Sequence, residues 1–141
     1  MLDQAYATST IIGLAAAGLV ASNVLVDRGI DCDLSRRVPG ILGGAAFLIA
    51  VLWLEPWIAV SVSGALTLCI LVLRLGFRRG LRGVRGRLPV QAWSEITYPM
   101  AGTFSLAIGW GVLGDRWLAF LPIAFMAWGD ATVGLVRYTI R

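Results

Sequence analysis

Three short groups of residues in this chain have the types and spacing to do chemistry. The first lies in "WGDATVGLVR", Trp128 to Arg137, where Asp130 interrupts an otherwise lipid-compatible run. An ionised carboxylate in a spanning helix costs about 2.5–3.5 kcal/mol, so such a group faces a partner or a wet cavity. On a helix Asp130, Gly134 and Arg137 share one face, with Arg137 about 10 Å further along the axis. Gly134 leaves a notch between them, and Gly129 precedes the acid. A carboxylate, a notch and a guanidinium in line could hold a metal ion and a phosphate in series. The plainer alternative is that Arg137 snorkels outward and Asp130 hydrogen-bonds a neighbouring helix.

The second group is "DCDLSRRVPGILGG", Asp31 to Gly44. Arg36 and Arg37 precede a helix whose first turn holds Pro39, a good early-helix residue. Paired guanidiniums at an interface suit a diphosphate or an anionic headgroup, or serve only as a topology anchor. Asp31 and Asp33 have a D-x-D spacing that could hold Mg²⁺, although a solvated loop accounts for them as well. The third group is "AWSEITYPMAG", Ala92 to Gly102. Ser94 is placed to cap a helix, Glu95 to complement its dipole or to share a divalent cation with Asp130. Tyr98 follows, and Pro99 is expected in the opening turn.

Other chemistries are excluded by composition. All twelve basic residues are Arg, and there is neither His nor Lys. That removes histidine-dependent triads and zinc sites, and the Walker lysine of a P-loop. Cys32 and Cys69 lack a CxxC spacing and read as reduced thiols. The run "RLGFRRGLRGVRGRLPVQ", Arg74 to Gln91, repeats Arg-Gly three times. It reads as a cationic loop on acidic lipid or over nucleotide phosphates, and its position between two spans argues against nucleic acid.

These groups must be positioned by membrane helices. Of 141 residues 58% are hydrophobic, 14% are charged, and the mean hydropathy is +0.81, too apolar for a soluble domain. Long, nearly uncharged runs at 8–26, 38–54, 57–73, 96–113 and 117–136 each approach the ~20 residues of a spanning helix. The expected fold is an all-α integral membrane bundle of about five transmembrane helices, one membrane domain over 1–141, with cytosolic loops at 27–37 and 74–95. The N-terminal residues, "MLDQAYATST", hold no Lys or Arg and carry Asp3, so the first run reads as a retained helix rather than a secretory signal. An N-terminus outside and a C-terminus in the cytosol put eleven arginines on one face and Arg116 alone on the other. Trp53, Trp57, Trp110 and Trp117 then mark the outer interface, and Trp93, Tyr98 and Tyr138 the inner one. This makes a multi-pass protein of the cell membrane. Tight crossings are expected at Gly13 with Ala17 and Ala21, Gly40 with Gly44, and Ala101 with Ser105 and Gly109.

Taken in order, "LSRRVPGILGG", "SEITYPMA" and "WGDATVGLVR" resemble the CTP-dependent polyprenol kinase family. This is the dolichol kinase, phytol kinase and CTP-using diacylglycerol kinase group, related to the phosphatidate cytidylyltransferases. The resemblance implies transfer of phosphate from CTP to a membrane lipid alcohol with Mg²⁺. It implies that Arg36 and Arg37 contact phosphate, and that Glu95, Tyr98 and Pro99 line the site. It implies that Gly129, Asp130 and Gly134 form the glycine-aspartate motif, with Asp130 as the catalytic or metal-binding carboxylate. Relatives continue past that motif into a polar Lys- and Gly-containing stretch, so the resemblance implies a truncated chain, a degenerate one, or half of a site that a second copy or a partner subunit completes. The competing readings are a small ion- or proton-coupled transporter, and a non-catalytic membrane subunit.

Overall fold

A computed structural model describes residues 2–76 and 93–140. The Arg-Gly run from Arg78 to Arg87 lies outside the described residues, as do the side chains of Leu2, Ser94, Glu95, Leu135, Arg137 and Tyr138. Among the described residues every element is helical. These are α1 (Leu2–Asp27), α2 (Cys32–Ser35), α3 (Arg37–Trp53), α4 (Pro56–Gly76), α5 (Ser94–Ser105), α6 (Arg116–Ala124) and α7 (Asp130–Thr139). A π-helical stretch, Leu106–Val112, continues α5, and another, Phe125–Gly129, joins α6 to α7.

Four stretches are long and apolar enough to cross a membrane: Asp3–Asp27, Cys32–Trp53, Pro56–Gly76 and Arg116–Gly134. Between 11% and 33% of each span's apolar window is buried within the chain, so most of that surface faces outward. Val20, Leu68, Val72, Leu121 and Phe125 are all more than half exposed. Apolar surface on this scale needs a non-aqueous covering, which is compatible with a multi-pass membrane protein. The run expected at 96–113 is helical too, but its first turns carry Thr97, Tyr98 and Pro99 and it falls outside those four.

Chain direction reverses at each short connection. Gly29, at φ +81°, turns α1 toward α2, and Gly114, at φ +76°, turns the π stretch after α5 toward α6. Only a residue without a Cβ takes that left-handed backbone readily. Helix α1 lies antiparallel along α3, whose core residues Ala46, Phe47, Ala50 and Val51 pack with Ile11, Leu106, Ala119 and Phe120. Helix α4 leaves α3 after the Glu55–Pro56 corner and packs mainly on α5 and its π continuation. Ser63 Oγ and Thr103 Oγ1, 2.7 Å apart, bond α4 to α5.

The small-residue crossings differ in part from those expected. A Cβ added at Gly13 or Gly40 would meet nothing within 4 Å, so those two mark no close approach. A Cβ at Gly44 would fall 2.7 Å from Ala127 Cβ, and one at Gly109 would fall 2.8 Å from the Ala119 backbone. At Gly18, singled out by no spacing, a Cβ would fall 3.0 Å from Pro39 Cα. Four-residue spacing finds a face of small residues, and tertiary packing decides which face is used.

Candidate functional site

The three candidate groups meet at one end of the bundle, where α1 runs into α2, α5 begins and α7 lies. Asp31 caps α2 by accepting the Asp33 amide at 3.1 Å. That turn aims Asp33 at both arginines: Arg36 Nη2 lies 2.9 Å from Asp33 Oδ1, and Arg37 Nη2 lies 3.7 Å from Asp33 Oδ2. The D-x-D pair is therefore divided between a helix cap and an arginine clamp. It does not present two carboxylates to one cation. Pro39 falls in the first turn of α3, as its fixed φ favours.

Arg37 reaches from the start of α3 to α7. Its Nη1 donates to Asp130 Oδ2 at 3.2 Å and also to the Asp130 backbone carbonyl. Its side chain is 10% exposed, against 70% for Asp130. The guanidinium lies against Gly134, where any Cβ would overlap it. The notch at Gly134 is real, but Arg37 fills it from another helix; an open seat between Asp130 and Arg137 is not what the fold builds. Asp130 and Gly134 do share a face of α7, since one guanidinium touches both. The π turn at Phe125–Gly129 sets that face. It follows Pro122, which has no amide hydrogen to give to the helix ladder.

Tyr98 closes another side. Its hydroxyl donates to the Gly40 carbonyl at 3.3 Å, and its ring lies over Gly43. Helix α5 begins at Ser94 with Trp93 as its N-cap residue and no side-chain cap. Ser94 is thus the first helical residue, not the cap, and Pro99 lies in the second turn, not the opening one. Glu95 occupies the first turn of α5. The Arg74 guanidinium stacks 4.0 Å from the Trp93 ring centroid, tying the end of α4 to the start of α5.

A feature that sequence spacing did not reveal joins these residues. An elongated cleft of about 600 Å³ runs between the α1–α3 pair and the α4–α5 pair. Its walls are mostly aliphatic, including Ile11, Ala16, Phe47 and Leu66, and its polar end carries Arg36, Arg37, Tyr98 and Asp130. Among the described residues no three His, Cys, Asp or Glu side chains converge. Mg²⁺ commonly uses one or two carboxylates and completes its shell with phosphate oxygens and water, so Asp130 with a bound phosphate fits the donor set. Comparison with protein-family models, with curated proteins and with solved structures finds no match.

Proposed function

We propose that this chain is a five-span membrane protein, N-terminus outside and basic end in the cytosol, that binds a lipid alcohol for phosphorylation by CTP. The observation that carries the proposal is the cleft, whose apolar length ends on two arginines, a tyrosine and an intramembrane-type carboxylate. An amphiphile entering sideways from the bilayer would leave its chain among aliphatic side chains and its hydroxyl beside Asp130.

Phosphoryl transfer asks mainly for positioning and charge neutralisation. The lipid hydroxyl oxygen bonds to the γ-phosphorus, the bond to the β-phosphate oxygen breaks, and CDP departs. The hydroxyl proton passes to a carboxylate, Asp130 or Glu95. Arg36 and Arg37 hold phosphate oxygens. Asp130 and Glu95 would hold Mg²⁺, which when bound supplies further charge neutralisation. For a phosphate to take Arg37, the guanidinium exchanges one of its carboxylate partners for the phosphate, a trade between charge-assisted hydrogen bonds of similar kind.

A second reading is a non-catalytic lipid-binding subunit, and one observation favours it: Arg37 already occupies the Gly134 notch and pairs with Asp130. Transfer of labelled γ-phosphate from CTP to prenols and diacylglycerol, in membranes holding this chain, separates the two. The kinase reading expects a labelled lipid that disappears with Asp130→Asn. No label from the well-inserted chain, tested with and without other membrane proteins, overturns it.

A further inference from the structure

We propose that the π stretch Phe125–Gly129 is a register switch for Asp130, and that Arg37 holds it at one setting. The inference goes beyond phosphate transfer and requires none of it. Its basis is the way α7 is attached.

The two π stretches differ in what surrounds them. Leu106–Val112 is locked by packing: Leu106 is fully buried, and a Cβ at Gly109 would fall 2.8 Å from the Ala119 backbone. Phe125–Gly129 is not locked in this way. Phe125 is 76% exposed, Met126 and Trp128 are exposed, and a Cβ at Gly129 would meet nothing within 4 Å. Its fixed point is Ala127, buried on Gly44 of α3, with the Trp128 ring edge-on to Phe120. Beyond that point the inward residues of α7, among the described side chains, are Ala131 and Gly134. A methyl group and a hydrogen offer little apolar burial, so Arg37 is what holds α7 at this setting. Its guanidinium bonds the Asp130 carboxylate and carbonyl and lies on Gly134.

A single π turn is an α-helix with one residue inserted. If it relaxes to α, each residue beyond it takes the place its successor held, a turn of about 100°. Val133 then arrives where Gly134 was, and Asp130 where Ala131 was. The first exchange is barred while Arg37 fills the notch, because a side chain there overlaps the guanidinium. The second carries the carboxylate off Arg37 and into the wall of the cleft, which Ala131 lines. Arg37 therefore selects the register. Seated in the notch, it keeps Asp130 at the rim, 70% exposed; withdrawn, it lets the carboxylate turn inward to a place that is 5% exposed. A carboxylate in that wall needs a partner or water, so the inward setting responds to what the cleft holds.

Spin labels on purified chain in lipid nanodiscs read the register. In a Cys32→Ser, Cys69→Ala background, Thr132→Cys on α7 is paired with Val20→Cys on α1. In a second protein it is paired with Leu68→Cys on α4, across the cleft. Thr132 is exposed, and so is the Val133 place it would move to. A turn of about 100° carries a group about 5–6 Å from the helix axis through about 8 Å. With Arg37 present, each pair is expected to give one distance. Arg37→Ala is expected to add a second, displaced by several ångströms in at least one pair. Val133→Gly with Gly134→Val retains Arg37 and moves the notch to the other register, so the second distance is expected to become the main one. If Arg37→Ala does not fold, this exchanged protein decides alone. Deletion of Met126 removes the extra residue and leaves Asp130 and Gly134 on Arg37; it is expected to keep one distance even with Arg37→Ala. A single unchanged distance in the Arg37→Ala and exchanged proteins overturns the proposal. So does a second distance that survives deletion of Met126, because α7 would then swing as a whole without changing register.

Discussion

At the scale of single residues, Arg37 organises the site. It touches Asp33 on its own side of the bundle, and Asp130 and Gly134 on α7. Because the guanidinium and a Cβ at Gly134 compete for one space, the two positions should couple strongly. Gly134→Ala alone is expected to lower stability by about 1–3 kcal/mol, the usual cost of overpacking. In an Arg37→Ala background the same change should cost close to nothing. Thermal unfolding of the four proteins of this double-mutant cycle measures the difference, and additivity would show that Arg37 does not occupy the notch. The separate ion pairs of Arg37 are each expected to contribute only about 1 kcal/mol or less, since Asp33 and Asp130 are mostly exposed. Asp130 and Gly134 were legible as sharing a face from their four-residue spacing, and Arg36 and Arg37 as a basic pair where a helix begins. That Arg37 is the partner of Asp130 was not legible. The two are 93 residues apart, and the contact exists only because α3 and α7 come together at one end.

At the scale of elements, the irregular turns are what bring α5 and α7 into the site. Pro99 and Pro122 each remove a backbone donor from the helix interior, and the structure compensates locally. Thr103 Oγ1 donates to the Pro99 carbonyl at 2.9 Å and bonds Ser63 across to α4, which fixes α5 against α4 beside the cleft. Thr103→Val keeps the side-chain shape and removes the bonds to the Pro99 carbonyl, to Ser63 and to Thr67. The expected loss is about 0.6 kcal/mol for the interhelical bond, at most about 1.7, measured as a drop in the unfolding midpoint in detergent. Gly109 is a sterner case, because its neighbour is backbone. Gly109→Val would drive into Ala119 of α6 and is expected to prevent stable insertion, read as loss of folded protein on gel filtration. Helix existence and approximate bounds followed from hydropathy alone. The π stretches did not, since hydropathy is silent on whether a helix carries one extra residue per turn. The cleft was hidden for a related reason: it arises where α4 departs from α3, and no local spacing encodes that divergence.

At the scale of the whole molecule, one end of the bundle gathers Arg28, Arg36, Arg37 and Arg74, and the other carries Gln4, Glu55, Asp115 and Arg116. Gln4 Nε2 donates to Glu55 Oε1 at 3.2 Å, marking the second end, and Asp115 caps α6 there by accepting the Trp117 and Leu118 amides. Trp53, Trp57 and Trp117 are each about half exposed near that end, and Trp93 is equally exposed at the first, as interfacial belts require. With the arginines so distributed, the Arg-rich end is expected in the cytosol, because the potential and the insertion machinery favour retaining Lys and Arg there. The orientation has a direct readout. In a background of Cys32→Ser and Cys69→Ala, a single Gly114→Cys should react with a membrane-impermeant maleimide applied to intact cells. A single Arg82→Cys should react only after the membrane is opened. The reverse pattern would place the Arg37–Asp130 end outside, away from cytosolic nucleotide, and would exclude phosphorylation by CTP at this site.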